Sequence, residues 1–289
     1  MVISSSLDTG LVLQFIIKQS RSGEIMEQAI RRTSKSDITQ TAASKKFRNY
    51  KKETEKATRK TSKGYNITLR TIADTFEKYL QYSFDDALRD SDSSGSSSID
   101  EEFYKKAIRM VSVIQYSSSD VEKFSLVLSE LVRKICAKKK IGYRKEKAGM
   151  FLNALINCGK DKTYTIHTIE NGEDITWFGY RNRKEIMVLG DVGDYFANRM
   201  EGGLITVNGN VHGDMGQDMR DGEVIITGNA GSVGYELKGG KITIEGNANK
   251  VGQFSAGGEI HINGDLTRRI DVQYDMIGAS IYQKGKQIR

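Results

Sequence analysis

The chain has no proline, two cysteines, one tryptophan and three histidines in 289 residues. Most of these scarcities close a class of chemistry. Cys136 and Cys158 are too few for a cysteine-held iron–sulfur cluster within one chain, and two lone thiols suit a reducing compartment. Both fall on or just after apolar helix faces and read as buried packing residues. His167, His212 and His261 are scattered, with no spacing that a metal site uses. His261 occupies an outward strand position and reads as surface; His212 adjoins the Gly213 turn near Asp214 and Asp218, where a metal is conceivable. The apolar run from Gly10 to Ile17 is far too short to span a bilayer and lacks the charged leader of a secretory signal. A cytoplasmic location is therefore expected. For the missing proline we have no physical account.

What the chain does have is a count. Gly190-Asp191, Gly209-Asn210, Gly228-Asn229, Gly246-Asn247 and Gly264-Asp265 recur at spacings of 19, 19, 18 and 18 residues. Four and two residues before each glycine stand Ile186/Val188, Ile205/Val207, Val224/Ile226, Ile242/Ile244 and Ile260/Ile262, all β-branched and apolar. The positions between them are mostly polar, with Met187, Leu189 and Ile225 as exceptions. Such alternation marks a strand with one buried face. A fixed period of this length marks a solenoid, whose units bury their apolar faces only by stacking. Two residues past each glycine comes Val192, Val211, Ala230, Ala248 or Leu266, and further glycines precede the next strand. Glycine corners are expected to supply left-handed turn conformations, which Asn and Asp also tolerate. The expected product is a right-handed parallel β-helix of about six coils, stacked about 4.8 Å apart. The last unit, Gly278 to Gly285, keeps Ile281 but places Gln283 at an inward position, as a degraded terminal coil would.

The repeat Gly-[Asn/Asp]-x-Gly-x-x-Gly, a Met or Leu, then Gly-Gly-x-Ile-x-Ile-x-Gly resembles the GXGXG domain. That domain closes the large subunit of glutamate synthase and forms much of the C subunit of formylmethanofuran dehydrogenase. The likeness covers about residues 184–289 and is clearest from Gly190 to Leu266. It implies a β-helix in an oxidoreductase setting, where this domain is a scaffold packed against catalytic parts that carry flavin, iron–sulfur or pterin groups. It does not imply catalysis, and no cofactor is expected in this chain. Gly228-Asn-Ala-Gly231-Ser-Val-Gly234 scans as a phosphate loop, but it leads into another strand, whereas a phosphate cradle needs a helix N-terminus.

The front of the chain is different. Residues 1–160 hold 30 Lys+Arg against 19 Asp+Glu, a net of +11; the rest sums to −4. A basic α-helical region is expected over 1–92, a second helical region over 93–160, and the β-helix over 161–289. Leu69, Ile72, Ala73, Phe76 and Leu80 lie on one helical face. Ser98 with Glu101 reads as a capping box for a helix through Phe103, Ala107, Met110 and Ile114. Asp120 is expected to cap the next, which carries Phe124, Val127, Leu128, Leu131 and Ile135. A third runs from about Glu146 through Phe151 and Leu155 to a stop at Gly159. Between Asp90 and Ser96 lies a solvated linker. The segment from Tyr164 to Phe178 is expected to be β and to cap the near end of the solenoid, with Trp177 as a cap or interface anchor.

Two basic clusters are candidate polyanion sites. Residues 31–63 carry twelve basic side chains against three acids, and 133–147 carry eight against one. Arg31, Arg32, Lys45, Lys46, Arg48, Lys51 and Lys52 represent the first; Lys138, Lys139, Lys140, Arg144 and Lys145 represent the second. They would hold phosphates without reading bases. Two functions are compatible with these features. One is a non-catalytic scaffold or interaction protein, with a protein partner or a second copy docked on the solenoid through Met187, Leu189 and Ile225. The other is an RNA- or ribosome-associated factor held by its basic helices, with the β-helix as dimeriser.

Overall fold

The computed structural model describes residues 67–90, 99–139, 145–168, 175–268 and 278–289. The chain divides into two compact units, Met1–Ile67 and Thr68–Arg289. The first lies outside the described residues except for Ile67, and with it most of the expected basic helical region over 1–92. Apart from Ile67, the first residue of the first helix, the second unit carries all the elements described below.

Five helices come first: α1 (Ile67–Leu80), α2 (Phe84–Asp90), α3 (Ile99–Val111), α4 (Ser118–Lys139) and α5 (Lys145–Cys158). The expected faces are buried: Leu69, Ile72, Phe76 and Leu80 on α1, Phe124 through Ile135 on α4, Phe151 and Leu155 on α5. Their centre is an aromatic triangle in which Phe76 lies 5.6 Å from Phe124 and 5.0 Å from Phe151, ring centre to ring centre. Such contacts add about 0.5–1.5 kcal/mol each beyond burial. Met110 and Ile114 are only half-buried, and Ile114 lies past the end of α3.

Two capping details differ from expectation. Asp120 does not open α4; Ser117 does. The Ser117 N–H and Oγ–H both donate to Asp120 Oδ2, at 3.0 and 2.7 Å, so Asp120 is the third-residue partner of a capping box. The same device starts α2, a helix absent from the sequence reading. There Ser83 N–H and Oγ–H donate to Asp86 Oδ2 at 2.7 Å, and the Asp86 N–H returns a bond to Ser83 Oγ at 3.0 Å. These bonds hold the Asp86 carboxyl down to about 2.

A right-handed β-helix of about six turns comes next. Its main side is a parallel sheet in the order β1 (Thr163–His167), β2 (Glu185–Leu189), β3 (Glu201–Asn208), β4 (Asp221–Ile226), β6 (Lys241–Ile244), β8 (Glu259–Ile262) and β9 (Ser280–Gln283). The register places Ile186, Ile205, Val224, Ile242, Ile260 and Ile281 in one inward column. All ten of the paired β-branched residues from Ile186 to Ile262 are at most 3% exposed. A second side is built by β5 (Ala230–Val233) and β7 (Ala248–Val251), extended by bridges that line up Val192, Val211 and Ala230 at one end and Ala248 with Leu266 at the other. At the far end β10 (Lys286–Gln287) folds back antiparallel on β9, so this sheet edge is paired rather than open. Gln283 takes its inward place by donating to Gly264 O at 3.3 Å.

The segment after α5 is the first rung rather than a cap. β1 pairs in parallel with β2, Tyr164 opposite Ile186; of the expected span, 164–167 are strand, 175–178 are not, and 169–174 lie outside the described residues. The layer that covers the near end is helical.

Candidate interaction surfaces

The corner glycines work differently from expectation. Gly209, Gly228, Gly246 and Gly264, and likewise Asn210, Asn229 and Asn247, do not adopt left-handed backbone, whereas Gly190 does at φ 121°, as do the expected turn glycines further along each coil, Gly216, Gly234 and Gly252 at φ 65–70° and Gly222, Gly240 and Gly258 at φ 81–94°. The constraint on Gly209, Gly228, Gly246 and Gly264 comes from the neighbouring coil. A Cβ on Gly228 would lie 2.5 Å from both Asn210 Oδ1 and Gly209 O. The acidic or amide side chain beside each glycine then bonds upward. Asp191 Oδ1 accepts the Asn210 N–H at 2.7 Å, Asn210 Oδ1 that of Asn229 at 2.9 Å, Asn229 Oδ1 that of Asn247 at 2.8 Å, and Asn247 Oδ1 that of Asp265 at 2.7 Å. A continuous ladder closes one edge of the solenoid. At its start, burial raises the Asp191 carboxyl, but the Asn210 N–H and His212 outweigh that, and its pKa is lowered.

Left-handed backbone also recurs at a column of residues that carry a Cβ, which the glycine pattern does not itself mark. Arg181, Arg199, Asp218, Glu236 and Phe254 stack with φ between 51° and 56°. Each conformation costs about 1–2 kcal/mol for a residue with a Cβ. Residue type varies along this column, so only the coil spacing betrays it.

The histidines are each engaged with a carboxylate. His212 Nε2 is 2.8 Å from Asp191 Oδ2, across the ladder, rather than with Asp214 or Asp218. His261 Nε2 is 3.1 Å from Glu259 Oε2, and its ring stacks on Tyr282 at 4.4 Å. His167 Nε2 is 3.1 Å from Glu122 Oε1. Among the described residues no group of three His, Cys, Asp or Glu side chains is placed to hold a metal ion. Cys136 and Cys158 are half-buried rather than buried, and desolvation pushes both thiols up.

The helical layer is bolted to the first coil by side-chain amides. Asn153 of α5 donates to Trp177 O at 2.7 Å and accepts the Gly179 N–H at 2.7 Å. Trp177 itself stacks on Tyr195 at 4.7 Å. Lys184 Nζ reaches back to Gly159 O at 3.0 Å and Asp161 O at 3.1 Å. From α3, Glu101 Oε2 accepts from Tyr180 Oη at 2.5 Å and pairs with Arg181 at 3.1 Å. Burial first, then the Glu101 bond, push Tyr180 up to about 12.

Outside, the main sheet presents Met187, Thr206, Ile225 and Thr243 in one outward row, with Leu189 and Leu204 beside it, all half-buried. α4 lies along the free edge of β1, where His167 N–H donates to Ser125 Oγ at 3.0 Å. From β2 onward this face carries no described helix.

Arg31, Arg32, Lys45, Lys46, Arg48, Lys51, Lys52, Lys140 and Arg144 lie outside the described residues. Lys138, Lys139 and Lys145 are placed only as backbone in α4 and α5. Compared with models of known families, with curated proteins and with solved structures, the chain matches none of them. No helix among the described residues is long and apolar enough to cross a membrane.

Proposed function

We propose that this chain is a non-catalytic scaffold built on a GXGXG-type β-helix, serving as an accessory, partner-binding subunit of an oxidoreductase. The observation that supports this reading is how the polar side chains of the solenoid are spent. The corner amides tie coil to coil, the three histidines each face a carboxylate, and Asn153, Lys184 and Glu101 tie the helical layer to the first coil. The result is a stiff stack with a regular outer face, the geometry that suits docking. The test is recovery of partners by the tagged full chain, with and without ribonuclease and across a salt series. Flavin, iron–sulfur or pterin enzyme subunits retained through nuclease and salt support the scaffold; their absence in the presence of nucleic acid sinks it.

A second reading has its own observation, the net +11 of residues 1–160 against −4 for the rest. In that reading the basic front binds RNA or a ribosome, and the β-helix joins two copies. Counterion release makes such binding fall steeply, by about a thousandfold or more between roughly 50 and 200 mM salt for six or more phosphate contacts. A largely apolar protein interface persists over the same range.

A further inference from the structure

We propose that Asn208 is a site of spontaneous covalent modification, converted through a succinimide to aspartate and isoaspartate, and that its counterpart Asn263 is protected. The sequence holds three Asn-Gly pairs, the dipeptide whose second residue hinders ring closure least because it has no side chain. Asn171-Gly172 lies outside the described residues. Asn208-Gly209 and Asn263-Gly264 occupy the same place in two coils. Each asparagine is exposed and follows a fully buried β-branched residue, Val207 or Ile262.

In the reaction the Gly209 nitrogen gives its proton to a base in solution and attacks Asn208 Cγ. The new C–N bond forms, negative charge develops on Oδ1, and the bond to Nδ2 breaks to release ammonia. One water then opens the five-membered ring at either carbonyl, leaving aspartate or isoaspartate. Ring closure needs rotation of the backbone at the asparagine, and each site gives up one bond between coils to allow it. At Asn208 this is the Gly190 N–H to Asn208 O bond, 3.2 Å; at Asn263 it is the Gly264 N–H to Gly246 O bond, 3.0 Å. The rotation does not separate the two sites.

The neighbouring coil does. The outward column just before the corner glycines runs Asn208, Thr227, Glu245, Asn263. Among the described residues no acceptor holds the Gly209 N–H, so the nucleophile is at liberty. The Thr227 hydroxyl donates to Asn208 Oδ1 at 3.2 Å, the atom on which the charge develops. Asn263 meets the reverse. The Gly264 N–H is bonded, and Asn263 Nδ2 donates to Glu245 Oε2 at 2.8 Å, which sets a carboxylate beside the reacting amide. Isoaspartate would route the main chain through a side-chain carbon, lengthening it where no slack exists. A Cβ on Gly209 would lie 2.3 Å from Gly190 O, and Gly209 O holds the Gly228 N–H at 2.9 Å. Conversion to isoaspartate therefore dislocates the rung, whatever partner the solenoid takes.

The experiment incubates the full chain at mildly alkaline pH, folded in buffer and unfolded in urea, with circular dichroism to confirm each state. Digestion and fragment mass spectrometry follow the amide-to-acid mass change at each asparagine. In the folded chain Asn208 is expected to convert at least about fivefold faster than Asn263, the factor that the net worth of one hydrogen bond sets. In urea the two rates converge, because both pairs sit in similar sequence. Thr227→Val slows Asn208 severalfold in the folded chain and leaves its rate in urea unchanged. Glu245→Gln speeds Asn263 in the folded chain. Equal rates in the folded chain overturn the proposal, as does a ratio that persists in urea. So does a folded chain in which Asn208 stays intact while the unfolded chain converts, or an Asn208 rate indifferent to Thr227→Val.

Discussion

Replacing Gly228 with alanine separates two accounts of the corner glycines. If the glycine serves a local turn, alanine at its ordinary φ should be harmless, or stabilising by about 0.4–1 kcal/mol through the unfolded chain. The stacked coils say otherwise. The new Cβ would sit 2.5 Å from Asn210 Oδ1 and 2.5 Å from Gly209 O, closer than real Cβ atoms come. Neither atom is the loose end of a flexible side chain. Asn210 Oδ1 holds the Asn229 N–H at 2.9 Å, and Gly209 O holds the Gly228 N–H at 2.9 Å. Overpacking costs about 1–3 kcal/mol, and one weakened ladder bond adds about 0.5–1.5 kcal/mol, so a loss of about 2–4 kcal/mol is expected. Gly285→Ala is the control. There φ is 77° and nothing lies within 4 Å of the added carbon, so only the left-handed cost of about 1–2 kcal/mol applies. Urea unfolding followed by circular dichroism reads both, provided the m-values agree. A Gly228→Ala midpoint at or above that of the parent refutes the stacking argument.

Three further outcomes are expected. Lys147 is 4% exposed and its ammonium donates to Leu80 O at 2.8 Å and Tyr82 O at 2.6 Å, so Lys147→Met should destabilise the chain by about 1–3 kcal/mol in urea. The Asp86 carboxyl is held down to about 2 by Ser83, so its folded pKa lies below its unfolded value. The α2 cap is then fully in force above the ordinary carboxylate range and is lost as pH falls through about 2, and an NMR titration of Asp86 checks it. Asn153→Ala strips partners from Trp177 O and Gly179 N–H, at about 2–4 kcal/mol for the two groups, and should speed hydrogen exchange at the Gly179 amide.

The inward columns were legible because their signal is local: a strand with period two writes itself into five consecutive residues, and five strands repeat it. The corners were legible in place but not in cause. What constrains Gly228 is a carbonyl and an amide oxygen one coil earlier, a contact that no window along the chain contains. The left-handed stack of Arg181, Arg199, Asp218, Glu236 and Phe254 was invisible because backbone conformation is imposed by neighbouring coils on residues of unrelated type. α2 was overlooked although Ser83 and Asp86 carried a capping signature, since only Ala87 is buried on that helix and there is no apolar stripe to read. The bond from Tyr180 to Glu101 joins residues 79 apart and makes Glu101 an anchor for the solenoid, a role its local sequence does not show; Ser98, its expected capping partner, lies outside the described residues.

The second half of the chain is a stack of interchangeable coils, and excising residues 229–246 tests this most directly. The cut removes one whole coil of 18 residues and joins Gly228 to Asn247, which preserves the Gly-Asn corner and the inward column. The expected result is a shorter protein that stays folded and unfolds cooperatively in urea, whereas removal of half a coil destroys the fold by turning inward residues outward. Loss of structure on excising the whole coil, or equal tolerance of both cuts, would contradict it.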